Sequence, residues 1–276
     1  MNVHFSKFAV QALLGCTIIS IAVPALADST WSNLGSGGAS PCASTASSGV
    51  PVGNVLNCGT QSGVVLNTDA FSTNTATGTT FAAASLYNWG SGYGLGVVNV
   101  NEAPGTTGPH AADNISGIDA VRLSFSSAVT LKSVKLGWNG TDNSTTNTTG
   151  TYNDSDISVL AWTGPGAPGA VTGTTIGGAG NGWTLVGNYA DVGAAVGNTA
   201  TVSSAIYSSY WLISAYSTAF GTGVGLSAGN DAFKLLGVSA STKSGGSVPE
   251  PGSIALIGAG LLGLFVRARR KIRKGF

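Results

Sequence analysis

The sequence has 276 residues, of which 43% are hydrophobic and only 8% are charged. Its formal net charge of +1 hides a separation of charge, because six of the twelve Lys and Arg residues lie within residues 267–274. Residues 28–247 carry five bases and ten acids, which gives this part a charge near −5. Such a surface lacks the basic patch that nucleic-acid binding requires, so we expect no nucleic-acid partner.

Residues 1–27 have the layout of a secretory signal peptide. Lys7 precedes an apolar run over residues 8–25, and Ala25-Leu26-Ala27 has the small-x-small form that signal peptidase cuts. Cleavage after Ala27 makes Asp28 the first mature residue. We therefore expect signal peptidase and the export machinery as partners of this chain.

Cysteine usage fits an oxidising compartment. Cys16 falls inside the predicted signal, so the mature chain keeps Cys42 and Cys58. An even pair in an exported chain predicts one disulfide, with two free thiols as the alternative. Its closed loop of about 17 residues would stabilise the fold by about 3 kcal/mol in the chain-entropy model.

The mature region predicts an all-β fold. Short runs of β-branched and aromatic residues alternate with polar residues between clusters of Gly, Asn and Thr, which is typical of half-buried strands. The expected strands are residues 94–100, 121–125, 134–138, 157–162, 183–189, 209–216 and 232–240. Residues 139–154 and 164–182 are expected to be long loops. The pattern favours a single antiparallel β-sandwich over residues 28–243, with jelly-roll connections as one option.

Candidates for catalysis are few. His110 is the histidine available as a proton shuttle, with Asp113 or Asp119 as the orienting carboxylate. Glu102 and an aspartate would be a pair for glycoside hydrolysis, but no spacing singles out such a pair. No Gly-x-Ser-x-Gly elbow stands between a strand and a helix. We expect no enzymatic activity and no cofactor, and keep a secreted hydrolase as an alternative.

Asp154 and Asp156 are weak candidates for a calcium site. Carboxylate and amide oxygens on a loop are the ligands that calcium prefers, and Asp142 and Asn153 are close in sequence. The twelve-residue EF-hand pattern is missing. Solvated loop acids are the simpler interpretation, so we expect no metal site.

Aromatic side chains are numerous for a chain so poor in charge. Sugar rings stack on aromatic planes, and neutral Asn and Thr supply hydrogen bonds without the cost of burying a charge. The alternative is that most of these rings fill the core. The aromatic residues favour a carbohydrate-binding module or adhesin, with extracellular polysaccharide as ligand. They are Trp89, Tyr93, Trp138, Trp162, Trp183, Tyr189, Tyr210 and Trp211.

The last 29 residues have three parts in a fixed order. Val248-Pro249-Glu250-Pro251-Gly252 is held extended, because each proline fixes its own φ and restricts the residue before it. Residues 253–266 are uncharged, and as a helix they would be about 21 Å long, which is shorter than a hydrocarbon core of about 30 Å.

The basic residues that follow stay on the cytoplasmic side by the positive-inside rule. They include Arg267, Arg269 and Arg270. The tail therefore predicts a linker with the proline motif over residues 244–252, a transmembrane helix over residues 253–266 and a basic cytoplasmic end over residues 267–276. A permanent C-terminal anchor is the alternative.

This order of parts resembles the PEP-CTERM sorting domain. The resemblance implies a membrane-embedded exosortase that cuts near Pro249-Glu250-Pro251 and releases or transfers the exported domain, which is anchored in the inner membrane until then. It also implies a non-enzymatic protein of the cell surface or of an exopolysaccharide-containing biofilm matrix. Several mature segments resemble a group of exosortase-dependent surface proteins. They are residues 110–114, 117–121, 154–160, 182–189, 209–216 and 230–235.

Overall fold

The computed structural model describes the central part of the chain, and that part is made of β-strands. The described residues are 28–35, 42, 50–53, 55–75, 77–90, 92–102, 110–115, 117–139, 155–168, 181–193 and 198–242. They all belong to one unit, Leu26–Gly245. The predicted signal peptide, with Ala25 and Ala27, and the predicted sorting tail lie outside the described residues.

Thirteen strands lie in these ranges. In chain order they are β1 (Asp28–Trp31), β2 (Val50–Gly53), β3 (Val55–Gln61), β4 (Val64–Ser72), β5 (Ala82–Asn88), β6 (Leu95–Val98), β7 (Ala112–Asp113), β8 (Asp119–Asn139), β9 (Ile157–Trp162), β10 (Trp183–Tyr189), β11 (Thr199–Thr201), β12 (Ser208–Ala215) and β13 (Ala232–Thr242).

The longest strand, β8, connects two parts of the sheet. Its first half, up to Phe125, pairs with β4 and with most of β12, and its second half, from Val129, pairs with β13 and β11. Val129 also pairs with Ser208 of β12. Residues 126–128 between the halves are exposed. The sequence predicts two strands here, residues 121–125 and 134–138, with a break between them. That division is wrong, because backbone pairing continues through Val129 and Leu131 on the far side of the exposed residues.

The strand pairings close into a cycle. The order along the sheet is β1-β13-β6-β5-β4-β8-β12-β9-β10, and β13 pairs with β8 as well as with β6. Every pairing recorded among these strands is antiparallel. The all-β class and the antiparallel pairing predicted from the sequence are therefore confirmed. A division of this sheet into the two layers of a sandwich stays a prediction.

Hydrophobic side chains pack on both faces of the central strands. The main core contains the fully buried Trp31, Trp211 and Phe233, and the indole of Trp31 meets Phe125 edge to face at 5.2 Å. Successive residues of a strand point to opposite faces, so Leu212, next to Trp211, belongs to a second cluster. This second cluster contains Phe71, Phe81, Ile118, Ala120, Leu160, Leu212 and Phe220, with Trp183 packed against it.

A disulfide joins Cys42 to Cys58, as the cysteine count predicts. Both cysteines are fully buried in the main core. Cys58 belongs to β3, so the bond fixes the preceding chain at residue 42 to the sheet.

Several of the predicted strands agree closely with those of the structure. β9 and β10 have the predicted bounds, and β6, β12 and β13 overlap the prediction closely. The strands β1 to β5, β7 and β11 were not predicted. In the described ranges no helix is long and apolar enough to cross a membrane. The predicted span over residues 253–266 falls outside those ranges, as do loop residues 140–154 and 169–180.

We expect Trp31→Ala to lower the free energy of unfolding by about 3–5 kcal/mol, because it leaves a cavity at a fully buried position. Urea denaturation of the full chain in detergent micelles, followed by circular dichroism, measures this. Val224→Ala is the matched control, because Val224 is fully exposed and its truncation should change stability by less than about 0.5 kcal/mol. Equal midpoints for the two variants would contradict the packing described.

Candidate functional site

A groove lies where β8 bulges away from β12. Ser208 pairs with Val129, but Tyr210 pairs with Ser124. Residues 125–128 of β8 therefore stand opposite Ser209 alone. The groove has a volume of about 420 Å³, and its lining includes Phe125, Ser126, Trp162, Tyr207, Ser209 and Tyr210.

Trp162, at the end of β9, has a fixed orientation beside this groove. Its Nε1 donates a hydrogen bond to the carbonyl oxygen of Gly166 at 2.9 Å, and its ring meets that of Trp183 edge to face at 5.6 Å. Gly164 and Gly182 approach the indole so closely that a Cβ on either would lie 2.5 or 2.3 Å from a ring atom. Larger residues at these two positions would displace the ring.

Three aromatic residues form a row across neighbouring strands. Trp162 pairs directly with Trp183, and Trp211 pairs with Ala161, which places Tyr210 level with Trp162. Trp211 and Ala161 point into the main core, so the row points to the opposite face. We call Tyr210, Trp162 and Trp183 the aromatic row, and all three are partly exposed.

The groove is lined by neutral groups. No Asp, Glu, Lys, Arg or His is present among its lining residues in the described part of the chain. Arg122, on the same strand as Phe125, is paired with Asp69 through Nε at 2.9 Å and Nη2 at 2.5 Å. The lining therefore offers aromatic faces and hydroxyl groups rather than charge.

A second cluster of aromatic residues surrounds Lys234. The ammonium of Lys234 lies 3.7 Å from the ring centre of Trp89, 4.0 Å from that of Trp138 and 5.7 Å from that of Tyr93. Trp89 and Tyr93 flank the turn between β5 and β6, while Trp138 comes from the end of β8 and Lys234 from the start of β13. The turn lies directly on Gly137, where a Cβ would meet the Tyr93 carbonyl oxygen at 2.2 Å.

Burial lowers the pKa of the Lys234 ammonium from 10.5 to about 8. Lys234 is only 4% exposed, and the one ion pair seen among the described residues is that of Arg122 with Asp69. The ring faces attract the cation and so oppose this shift. Two of the aromatic residues proposed from the sequence as sugar-stacking surfaces, Trp89 and Trp138, therefore have a lysine on their rings.

His110 packs into the same region. Its ring lies 4.6 Å from that of Tyr87 and 6.4 Å from that of Trp89, and its carbonyl oxygen accepts a hydrogen bond from Trp89 Nε1. The side chain is buried. These contacts show the ring in a packing role.

Buried carboxylates connect the loops at one end of the strands. Asp231 accepts hydrogen bonds from Asn114 Nδ2 at 2.6 Å and from the backbone N–H of Asp156 at 2.7 Å. Asp156 in turn accepts from the N–H groups of Asp191 and Ser227 at 2.9 and 2.5 Å. Burial raises the pKa of Asp156, and the hydrogen bonds from these backbone N–H groups partly offset that rise. The network holds loops together that are far apart in sequence.

Asp119 lies in a neighbouring buried position. Burial raises its pKa well above the ordinary value, and the carboxylate of Asp113 raises it further. This carboxyl group is therefore easier to protonate than an exposed aspartate. Its Oδ2 accepts a hydrogen bond from the N–H of Asp113 at 3.3 Å.

The structure places only some of the residues proposed from the sequence. Asp156 is buried with its oxygens bonded to backbone N–H groups, whereas Asp154 lies outside the described residues. Across the described ranges, no three His, Cys, Asp or Glu side chains meet in a way that could hold a metal.

Tyr207 was not proposed from the sequence as a site residue, although its position just before a predicted strand and close to Tyr210 is visible in the sequence. The bulge in β8 was missed because it depends on pairing with β12.

Comparison with known proteins identifies the tail. Residues 247–271 match the family model described as the PEP-CTERM protein-sorting motif. This stretch includes Pro249, Glu250, Pro251, Arg267, Arg269 and Arg270. The match indicates exosortase-dependent sorting of a surface protein, and it implies export with passage through the membrane. No curated protein and no solved structure matches the chain significantly.

We expect the free energy of unfolding to rise more steeply with pH in the wild type than in Lys234→Met. The folded pKa of about 8 lies below the unfolded value of 10.5, so the unfolded chain binds more protons between these pH values, and raising the pH favours the folded state. The gain between pH 7 and pH 10 should be about 1–2 kcal/mol, since the ring faces attract the cation and offset part of the desolvation cost.

Urea denaturation of both full chains at the two pH values tests this expectation. Lys132→Met serves as the control for loss of a lysine, because Lys132 is partly exposed and makes no cation–π contact with an aromatic ring of the described residues. Parallel pH profiles for the wild type and Lys234→Met would show that the ammonium is not desolvated.

Proposed function

We propose that this chain is an exported, non-enzymatic protein of the cell surface or extracellular matrix, which an exosortase cuts near Pro249-Glu250-Pro251. The match of residues 247–271 to the PEP-CTERM protein-sorting motif is the observation that carries this proposal. The signal peptide predicted over residues 1–27 supports it, because a sorted protein must first enter the export pathway. The membrane span over residues 253–266 serves as a temporary anchor before the cut.

The contacts of the candidate catalytic groups support a non-enzymatic role. His110 stacks on Tyr87, and Asp119 is fully buried and accepts a hydrogen bond from the backbone. A general base must instead reach a proton of the substrate. The hydrolase alternative predicts that His110→Ala abolishes an activity; the proposed role predicts no hydrolytic activity to lose.

Carbohydrate binding is the second candidate function, on the same domain. It is favoured by the neutral groove at the β8 bulge and by the aromatic row beside it. A site of this chemistry suits a surface protein associated with an exopolysaccharide matrix. The cell-surface location and the sugar site are thus two parts of one account, with separate tests.

We expect Glu250→Ala to keep the protein in the membrane fraction as an uncut precursor, because the substitution removes the carboxylate at the centre of the sorting motif. Cell fractionation with an antibody against the folded domain measures the fall in surface yield, which should be several-fold. Lys243→Ala is the matched control, since it changes one charge close to the motif but outside it. The denaturation midpoints of both variants should equal that of the wild type.

Equal surface yield of Glu250→Ala and Lys243→Ala would count against the sorting mechanism. So would a wild-type chain that stays in the membrane with residues 267–274 still attached.

A further inference from the structure

We infer that the groove at the β8 bulge, together with the aromatic row, binds a neutral polysaccharide chain that lies across strands β12, β9 and β10. This inference rests on the proposed function, because it names the ligand of the surface domain. It depends on the charge, the ring positions and the hydroxyl groups of the site.

The lining of the groove selects against charged polymers. Acidic polysaccharides carry carboxylates, which proteins hold with Arg or Lys. Among the described residues the groove has no cationic lining residue, and the guanidinium of Arg122 is occupied by Asp69. A neutral ligand avoids the cost of placing an unpaired charge against aromatic and aliphatic groups.

The aromatic side chains supply surfaces on which sugar rings stack. Tyr207 is 38% exposed, and both Trp162 and Tyr210 are partly exposed along the groove. The hydrogen bond from Trp162 Nε1 to Gly166 and the contact with Trp183 fix the indole before a ligand arrives. A fixed ring loses less conformational entropy on binding, which favours affinity.

Hydroxyl groups beside these rings are available for hydrogen bonds. Ser209 and the phenol of Tyr210 line the groove, and neither makes a side-chain hydrogen bond within the described residues. The oxygen of Ser126 accepts a bond from Val65 N–H at 2.9 Å, which leaves its own proton free to donate. Neutral donors and acceptors of this kind suit the hydroxyl groups of a sugar.

The aromatic row sets the orientation of a bound polysaccharide chain relative to the strands. Neighbouring strands are about 4.8 Å apart, so the row extends about 10 Å from Tyr210 on β12 to Trp183 on β10. This direction is perpendicular to the strands, and the groove continues it toward the bulge of β8. A polymer that contacts several rings in succession fits such a site better than a single sugar does.

Affinity electrophoresis of the purified full chain in detergent micelles tests the inference. The neutral probes are a β-glucan, a mannan, a galactan and a xylan, and alginate is the acidic probe. We expect at least one neutral polymer to retard the wild type and alginate to have no effect. Tyr210→Ala and Tyr207→Ala should each weaken binding about tenfold, a loss of about 1.4 kcal/mol.

Val224→Ala is the control, because Val224 is a fully exposed side chain that lies outside the groove lining; its binding should equal that of the wild type. Tyr210→Phe keeps the ring and removes the hydroxyl, so it should bind better than Tyr210→Ala. Circular dichroism and urea midpoints establish that each variant is folded.

Three results would overturn the inference: no retardation by any of the four neutral polymers, tighter binding of alginate than of every neutral polymer, or unchanged binding by both groove variants. The assay uses purified protein and does not depend on sorting. If the wild type is sorted normally but binds no neutral polymer, this inference alone is contradicted. If the wild type binds a neutral polymer but Glu250→Ala has the surface yield of the wild type, the sorting proposal alone is contradicted.

Discussion

The pairing of β8 with β13 is the interaction on which the rest of this fold depends. It runs from Val129 opposite Thr242 to Asn139 opposite Phe233, and it joins strands that are more than ninety residues apart in the chain. Without it, the cycle through β6, β5 and β4 would stay open, and β1 would pair with a strand that has no second neighbour along most of its length. The fully buried Leu136, Leu131 and Ala240 lie along this pairing, so hydrophobic burial stabilises the same contact that the backbone hydrogen bonds define.

The same long strand makes the candidate site. Ser208 of β12 pairs with Val129 and Tyr210 with Ser124, so β8 has extra residues here and forms a bulge between its pairing with β4 and its pairing with β13. The bulge exposes residues 126–128 beside Tyr210 and Trp162. Hydrophobic side chains meanwhile pack on both faces of the central strands. The groove is therefore a consequence of how one strand takes part in two sets of pairings.

The sequence predicts the parts of this protein that depend on local patterns. Short runs of β-branched and aromatic residues locate β9 and β10, the cysteine count predicts the bond between Cys42 and Cys58, and the proline motif with its basic end predicts the sorting signal. Long-range contacts account for what was missed. Asp69 makes β4 look polar, but it is satisfied by Arg122 from β8. Lys234 looks like a surface lysine, yet residues from two other elements enclose it. The groove depends on a register that no local pattern contains.

The central claim is that an exported β-domain is separated from its membrane tail by a cut at the proline motif. In the structure, Asp28 pairs with Ser241, so the strands nearest the two predicted cuts are neighbours in one sheet. Mass spectrometry of the mature protein recovered from the cell surface tests the claim most directly. The account predicts a chain that begins at Asp28 and ends at or near residues 249–251, without the basic residues 267–274. A stable surface product that retains those basic residues would contradict it.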